Sequence, residues 1–307
     1  RTPHRDQLDQ AVGLFQGGRL PEAENLCHEI LGADPACADA HHLLAYVYTR
    51  RGDPARATES LGRAIQAAPT RPDLHMSLAT ALMNTGNFAA AAESYATAAR
   101  LKPGWFQALA NRGIALARLH RYTEAESALH DALALQPDSE PVLTSLAGVL
   151  QALGRSAEAA DAAGRAVAAD PAAPEAWTNL GLARHSLGQL TDAASACERA
   201  IAAAPDFAMA WYNLGHVRND EWRADEARPR FLRAVELDSS YQPAWHAMLF
   251  NSLYDAAETE RTIFEAHARW SRTLTRGVPV PAPPPVATSR HPSGTPRRIR
   301  VGYVSPD

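Results

Sequence analysis

Residues 174–207 read PEAWTNLGLARHSLGQLTDAASACERAIAAAPDF. Apolar residues recur at helical spacing in two segments of about a dozen residues, joined at Gly188 and closed by Pro205. The pattern predicts two antiparallel helices sharing one apolar face, which such a pair cannot bury alone. It therefore needs neighbours, and the sequence supplies them. Pro35, Pro69, Pro103, Pro137, Pro171 and Pro205 fall on a period of 34 residues, with Ser239 in the next slot.

Other landmarks keep that period. Ala11, Ala45, Ala79, Gly113, Ala147, Gly181 and Gly215 form a small-residue column in the first helix, where a large side chain would force the helices apart. In the second helix, Ala23, Ala57, Ala91, Ala125, Ala159, Ala193 and Ala227 form one column. Ala64, Ala98, Ala132, Ala166, Ala200 and Ala234 form another, with Ile30 as its exception. Gly18, Gly52, Gly86, Gly154 and Gly188 mark the end of the first helix, where a left-handed residue is required. His120 and Trp222 occupy that slot in repeats four and seven. Histidine tolerates positive φ better than tryptophan, so Asn219 or Asp220 is expected to take the seventh turn. Thr123 with Glu126, and Thr191, are expected to cap second helices.

This arrangement resembles the tetratricopeptide repeat, whose landmarks appear here as Trp177, Leu180, Gly181, Ala193, Ala200 and Pro205. The resemblance covers residues 4–241 as seven repeats and implies an all-α superhelix, an α-solenoid. Repeat one is the most degraded, with Gln7 and Gln10 at positions that are apolar elsewhere. It reads either as a polar end cap or as the continuation of repeats upstream of Arg1, and the second is favoured.

The predicted domains are repeats over 1–241, a capping helix pair over 242–276, a linker over 277–297 and a strand opening a new domain over 298–307. The second helix of the pair is placed at Thr262 to Leu274. The linker carries Pro279, Pro281, Pro283, Pro284, Pro285, Pro292 and Pro296, a composition that favours extended chain. Ile299, Val301, Tyr303 and Val304, stopped by Ser305 and Pro306, read as a buried parallel strand.

Net charge is −4 with both signs interspersed, which leaves no basic stripe for a phosphate backbone and argues against nucleic acid. No apolar run is long enough for a membrane helix, and no signal peptide is visible, although the sequence starts at Arg1 and a leader could precede it. A cytoplasmic location is expected. Cys27 and Cys197 take the slot that holds Leu61, Tyr95, Leu129 and Phe231 elsewhere, so they read as core residues in a reducing compartment. No Cys or His spacing suits a metal, and the adjacent His41 and His42 point different ways on a helix. His41 and His75 share the slot of Trp177 and Trp211 and are expected to act in packing.

The candidate binding residues are Asn111, Asn179 and Asn213, at one position of repeats four, six and seven, with Ser77 and Ser145 in the slots of repeats three and five. In the repeat that this sequence resembles, the first helix lines the concave wall, so the column would form a ladder there. A primary amide can donate to and accept from a peptide backbone at once. The plain alternative is that asparagine is a tolerated polar residue on a solvated face. Asp220 and Arg218 are neighbours that could bias binding. A clamp for acidic chaperone tails is disfavoured, because the facing positions His42/Tyr46 through Tyr212/His216 contain no Lys–Asn pair.

The order of parts carries one more resemblance. Repeats, then Leu253-Tyr-Asp255 and Ile263-Phe-Glu-Ala-His267-Ala-Arg-Trp270, then a linker, then Arg298-Ile-Arg-Val-Gly-Tyr-Val-Ser-Pro-Asp307 are similar to the protein O-GlcNAc transferase/SPINDLY family. Pro306 is a minor departure. The resemblance implies that residues 298–307 begin a two-lobed, GT-B-like α/β glycosyltransferase domain. It further implies inverting transfer of a sugar to protein Ser or Thr, with UDP-GlcNAc a more common donor than GDP-fucose. The family's histidine near the sugar would follow Asp307, so no residue of this chain is assigned a catalytic role, and no cofactor is expected for the fragment itself. The expected function is capture of extended acceptor polypeptides in the concave groove. The rival is a non-catalytic scaffold for protein–protein interaction, and a third reading attaches a different transferase. A homodimer through the convex face stays open.

Overall fold

The structure, a computed structural model, describes residues 4–252 and 259–274 of the 307-residue chain. Among these residues there are sixteen α-helices and no strand. The first four pairs are α1 (Arg5–Gln16) with α2 (Leu20–Ala33), α3 (Ala38–Arg50) with α4 (Pro54–Ala67), α5 (Pro72–Asn84) with α6 (Phe88–Leu101), and α7 (Phe106–Arg118) with α8 (Tyr122–Leu135). Then come α9 (Glu140–Ala152) with α10 (Ser156–Ala169), α11 (Pro174–Ser186) with α12 (Leu190–Ala203), and α13 (Ala208–Asp220) with α14 (Ala224–Leu237). The chain continues with α15 (Gln242–Ser252) and α16 (Glu260–Leu274). Residues 1–259 form one compact unit, and α16 falls in a second unit of 260–307. The two helices expected beyond the repeats therefore both exist. The expected linker and strand lie outside the described residues.

Within the first unit each helix packs on the next, which is the nearest-neighbour order of a solenoid. Successive first helices also touch, as in α1 with α3, α7 with α9, α9 with α11 and α11 with α13, whereas no two second helices approach as extensively. A stack that is closer on one side curves toward that side. The first-helix wall is thus the concave one.

The small column explains how a pair closes. A Cβ on Gly215 would lie 2.5 Å from Phe231 Cε1, one on Gly181 2.7 Å from Cys197 Sγ, and one on Gly113 2.6 Å from Leu129 Cγ. Glycine thus stands opposite three members of the large column of the second helix. That column is buried throughout, and burial pushes the Cys27 and Cys197 thiols up to about 12, so both are packing residues. Gln7 and Gln10 are exposed on α1, and Leu8 and Ala11 supply its buried face.

All seven first helices end in the same Schellman turn. The second residue after the cap donates back to the carbonyl five positions earlier, as in Asp53 to Tyr48 at 2.9 Å and Arg223 to Arg218 at 3.0 Å. The residue between takes positive φ, which is 59° at His120 and 62° at Trp222. The expectation for Asn219 or Asp220 is therefore wrong, since both finish α13 and Trp222 itself is left-handed. Turning earlier would abandon the two turn bonds, and Val217 and Leu214 must reach the core in register. The indole is 94 % exposed, so packing offers it nothing in return. Replacing Trp222 with Gly should raise the unfolding free energy by about 1 kcal/mol in urea titration, because a left-handed L-residue costs roughly 1–2 kcal/mol. Trp222→Ala should bring no such gain.

The expected threonine caps are also wrong. The turn is so short that its last residue already serves as the N-cap of the following helix, which places Arg121 before α8 and Gln189 before α12. Thr123 and Thr191 then sit inside the first turn. Asp53 and Asn87 do cap, accepting from the Arg56 and Ala90 amides at 3.1 and 3.4 Å. Where arginine holds that place it pairs with a glutamate three residues on, as Arg121 does with Glu124 at 2.7 Å and Arg155 with Glu158. Glu126, the expected partner of Thr123, binds Arg155 of the next repeat at 2.7 Å.

Candidate polypeptide-binding wall

Each Asn/Ser column residue lies on the first-helix wall. Ser77 meets His42 Nε2 at 2.9 Å and the Tyr46 hydroxyl at 3.2 Å, both in the preceding repeat. Burial and Arg71 push the His42 imidazole below its usual range, against the opposing pull of Asp73 and Asp39. Asn111 hydrogen-bonds the Tyr95 hydroxyl, which also lies 3.3 Å from Thr80 Oγ1. Burial raises that phenol, and the two bonds offset part of the rise. Ser145 donates to the Pro141 carbonyl within its own helix at 2.7 Å. Asn179 donates from Nδ2 to the Thr144 carbonyl at 3.0 Å, tying α11 to α9. Asn213 differs from the others: it is 8 % exposed and its Nδ2 has no partner.

The column is therefore in phase along the wall but not uniform in chemistry. Two members, Ser77 and Asn179, fasten one first helix to the previous one, and more such bonds run beside them. Gln151 donates to Ser186 at 2.8 Å, and His185 Nε2 lies 2.8 Å from the Asp220 carboxylate. Arg218, one of the two charged neighbours that could bias binding, is engaged by Glu198 and Glu221 at 2.7 Å each and approached by Glu226.

Two hollows open on this wall. One of about 250 Å³ is lined by His42, Tyr46, Met76, Ser77 and Thr80 of α3 and α5. Another of about 230 Å³ is lined by Leu182 and His185 of α11 and by Tyr212, Asn213, His216 and Val217 of α13. A larger cleft of about 700 Å³ lies among α2, α3 and α4 and includes Arg56, Glu59 and Arg63. Glu59 and Arg63 pair with each other at 2.6 Å, leaving that cleft of mixed charge.

Sequence reading missed the role of the His41, His75, Trp177, Trp211 and Trp245 column. Their ring nitrogens Nε2 or Nε1 donate to the carbonyls of Pro35, Pro69, Pro171, Pro205 and Ser239 at 2.9–3.0 Å. A carbonyl only accepts, so both histidines carry the proton on Nε2. The missed signal was that the two aromatic types in this column share a ring N–H.

Among the described residues no group of three or more His, Cys, Asp or Glu could hold a metal ion, and no helix is long and apolar enough to cross a membrane. Stacked helical hairpins that pack each on the next define a helical-repeat protein, an α-solenoid. Tetratricopeptide-repeat models match residues 8–72, 145–206 and 186–242, and a second such model matches 48–111. The chain belongs to the tetratricopeptide-repeat family.

Solved structures agree on the fold. A tetratricopeptide repeat protein from Parabacteroides merdae superimposes with a TM-score of 0.63 at 16% identity, over 81% of this chain and 98% of that one. A chain of the Cut9–Hcn1 hetero-tetramer of the APC/C gives 0.60 at 16% identity, over 78% and 48%. PilF of Pseudomonas aeruginosa gives 0.56 at 21% identity, over 70% and 97%. No curated protein matches the sequence.

Proposed function

We propose that the chain is a protein–protein interaction scaffold whose first-helix wall binds an extended polypeptide. The observation that carries this reading is the wall itself, a row of seven first helices bearing polar side chains and two hollows each fit for one side chain. Solenoids of this class use their concave surface for binding. Photo-crosslinking groups placed at Tyr46, Ile114 and Leu182 should capture an unfolded test polypeptide such as reduced casein. The same group at Arg63, Asp131 and Arg165 on the second helices should capture little. Equal capture from both sets would reject the reading.

A second reading extends the first and rests on the sequence Arg298–Asp307, which resembles the opening strand of a protein O-glycosyltransferase. In it, the wall is the acceptor arm of an enzyme that transfers N-acetylglucosamine from UDP-GlcNAc to Ser or Thr, and the scaffold works in the cytoplasm. The complete gene product would be assayed for turnover of UDP-GlcNAc and GDP-fucose, with and without a peptide acceptor. Turnover of neither donor leaves the scaffold alone.

A further inference from the structure

The hollow between α11 and α13 differs from the rest of the wall in what it leaves unpaired. Asn213 and His216 both line this hollow, and Asn213 Nδ2 and His216 Nε2, shut off from solvent, both lack a hydrogen-bond partner. They stand three residues apart on α13 and so share one face of it. Elsewhere in the Asn column, Asn111 and Asn179 have intramolecular partners. A buried donor without a partner costs roughly 1–3 kcal/mol, which a ligand atom would recover.

The walls specify that ligand further. Leu182 and Val217 are apolar, and the Tyr212 ring meets His216 edge-on with centroids 4.6 Å apart. Phe231 backs His216 at 5.1 Å, and Tyr241 backs Tyr212 at 5.2 Å. His185 also lines the hollow, and its Nε2 lies 2.8 Å from the Asp220 carboxylate, so that carboxylate already has a partner. Burial, with His185 adding to it and Asp220 opposing, holds His216 below the usual histidine range, which favours the neutral ring with its one acceptor nitrogen. A volume of about 230 Å³ suits one aromatic side chain and falls short of a drug-sized site.

We propose that this hollow is a specificity pocket for a tyrosine side chain of the bound polypeptide, its ring against Leu182, Val217 and Tyr212. The phenol oxygen accepts from Asn213 Nδ2, and its O–H donates to His216 Nε2. Phenylalanine would fill the space but leave both polar atoms unpaired. A carboxamide would pair with them but leave the apolar walls unfilled, and an ionised side chain would find no counter-charge. The inference rests on the polypeptide-binding reading and adds a side-chain preference to it.

The test uses the full chain and a short blocked peptide with one central Tyr, compared with the same peptide carrying Phe or Gln, by titration calorimetry and amide chemical shifts. The Tyr peptide should bind about tenfold more tightly than the Phe peptide, the weight of one to two neutral hydrogen bonds. Shifts should centre on α13, and Asn213→Leu and His216→Phe should each erase most of the preference. The peptide comparison leaves the protein unaltered, so it stands even if a variant folds poorly. Equal binding of Tyr and Phe peptides, with shifts along the first helices, would overturn the pocket and spare the polypeptide-binding reading; it would mean that the two polar atoms stay unpaired when a chain is bound. No binding of any peptide would overturn both.

Discussion

Truncating Phe231 to alanine should lower the unfolding free energy by about 3–5 kcal/mol, the range for removing a buried aromatic ring. The ring is 1 % exposed, fills the place a Cβ on Gly215 would need, and packs against Tyr212 and His216. Glycine in the middle of α13 gives up about 1 kcal/mol of helix propensity relative to alanine, and the ring is what makes that worthwhile. Gly215→Ala alone should therefore destabilise by roughly 1–3 kcal/mol through overpacking, less what propensity returns. In the double variant the new methyl occupies space vacated by the ring, so the two losses should sum to less than their separate values. Because a solenoid is held by contacts between neighbours, the loss should be local. Amide exchange should speed up in α13 and α14 while α3 to α8 keep their protection. A loss below about 1 kcal/mol, or additive effects, would contradict this account of how the pair closes.

The fold was legible because every repeat restates it. One 34-residue unit is ambiguous, but small residues in phase over seven units leave the helices nowhere else to pack, and Cys27 and Cys197 were placed in the core by their column alone. The misreadings occur where a residue type was weighed against a local preference without the constraint on either side of it. Trp222 has a poor propensity for positive φ, yet the register of Leu214 and Val217 before it and Ala227 after it fixes the turn. Thr123 and Thr191 look like caps, but the turn has no residue to spare before the next helix starts. The Asn column was visible as a pattern. Its division into Asn111 and Asn179 with partners, and Asn213 without one at Nδ2, depends on which atoms of neighbouring repeats come within reach, and no single-sequence periodicity encodes that.

Trp245→Ala should likewise cost about 3–5 kcal/mol, but a graded series at this position says more than the truncation. The indole is 1 % exposed and its Nε1 donates to the Ser239 carbonyl at 3.0 Å. Trp245→Phe keeps most of the apolar area and removes the donor, so it should cost about 0.5–1.5 kcal/mol, the net weight of one hydrogen bond, because Ser239 is exposed and water can reach its carbonyl. Trp245→His reverses the trade, and His41 and His75 show that imidazole can make the same bond from the same slot. If the bond dominates, histidine should be tolerated better than phenylalanine; if volume dominates, the order reverses. The outcome bears on what ends a repeat. Repeats with Pro at the end place an extended residue before it, as steric contact with the proline ring requires, yet Asp238 before Ser239 has the same extended backbone, with φ −135° and ψ 95°. In the repeat where Leu143 has no ring N–H, Arg165 reaches the Pro137 carbonyl instead at 2.8 Å. The element shared by these cases is a donor on the carbonyl that leaves the second helix, and proline is one of two ways to present that carbonyl.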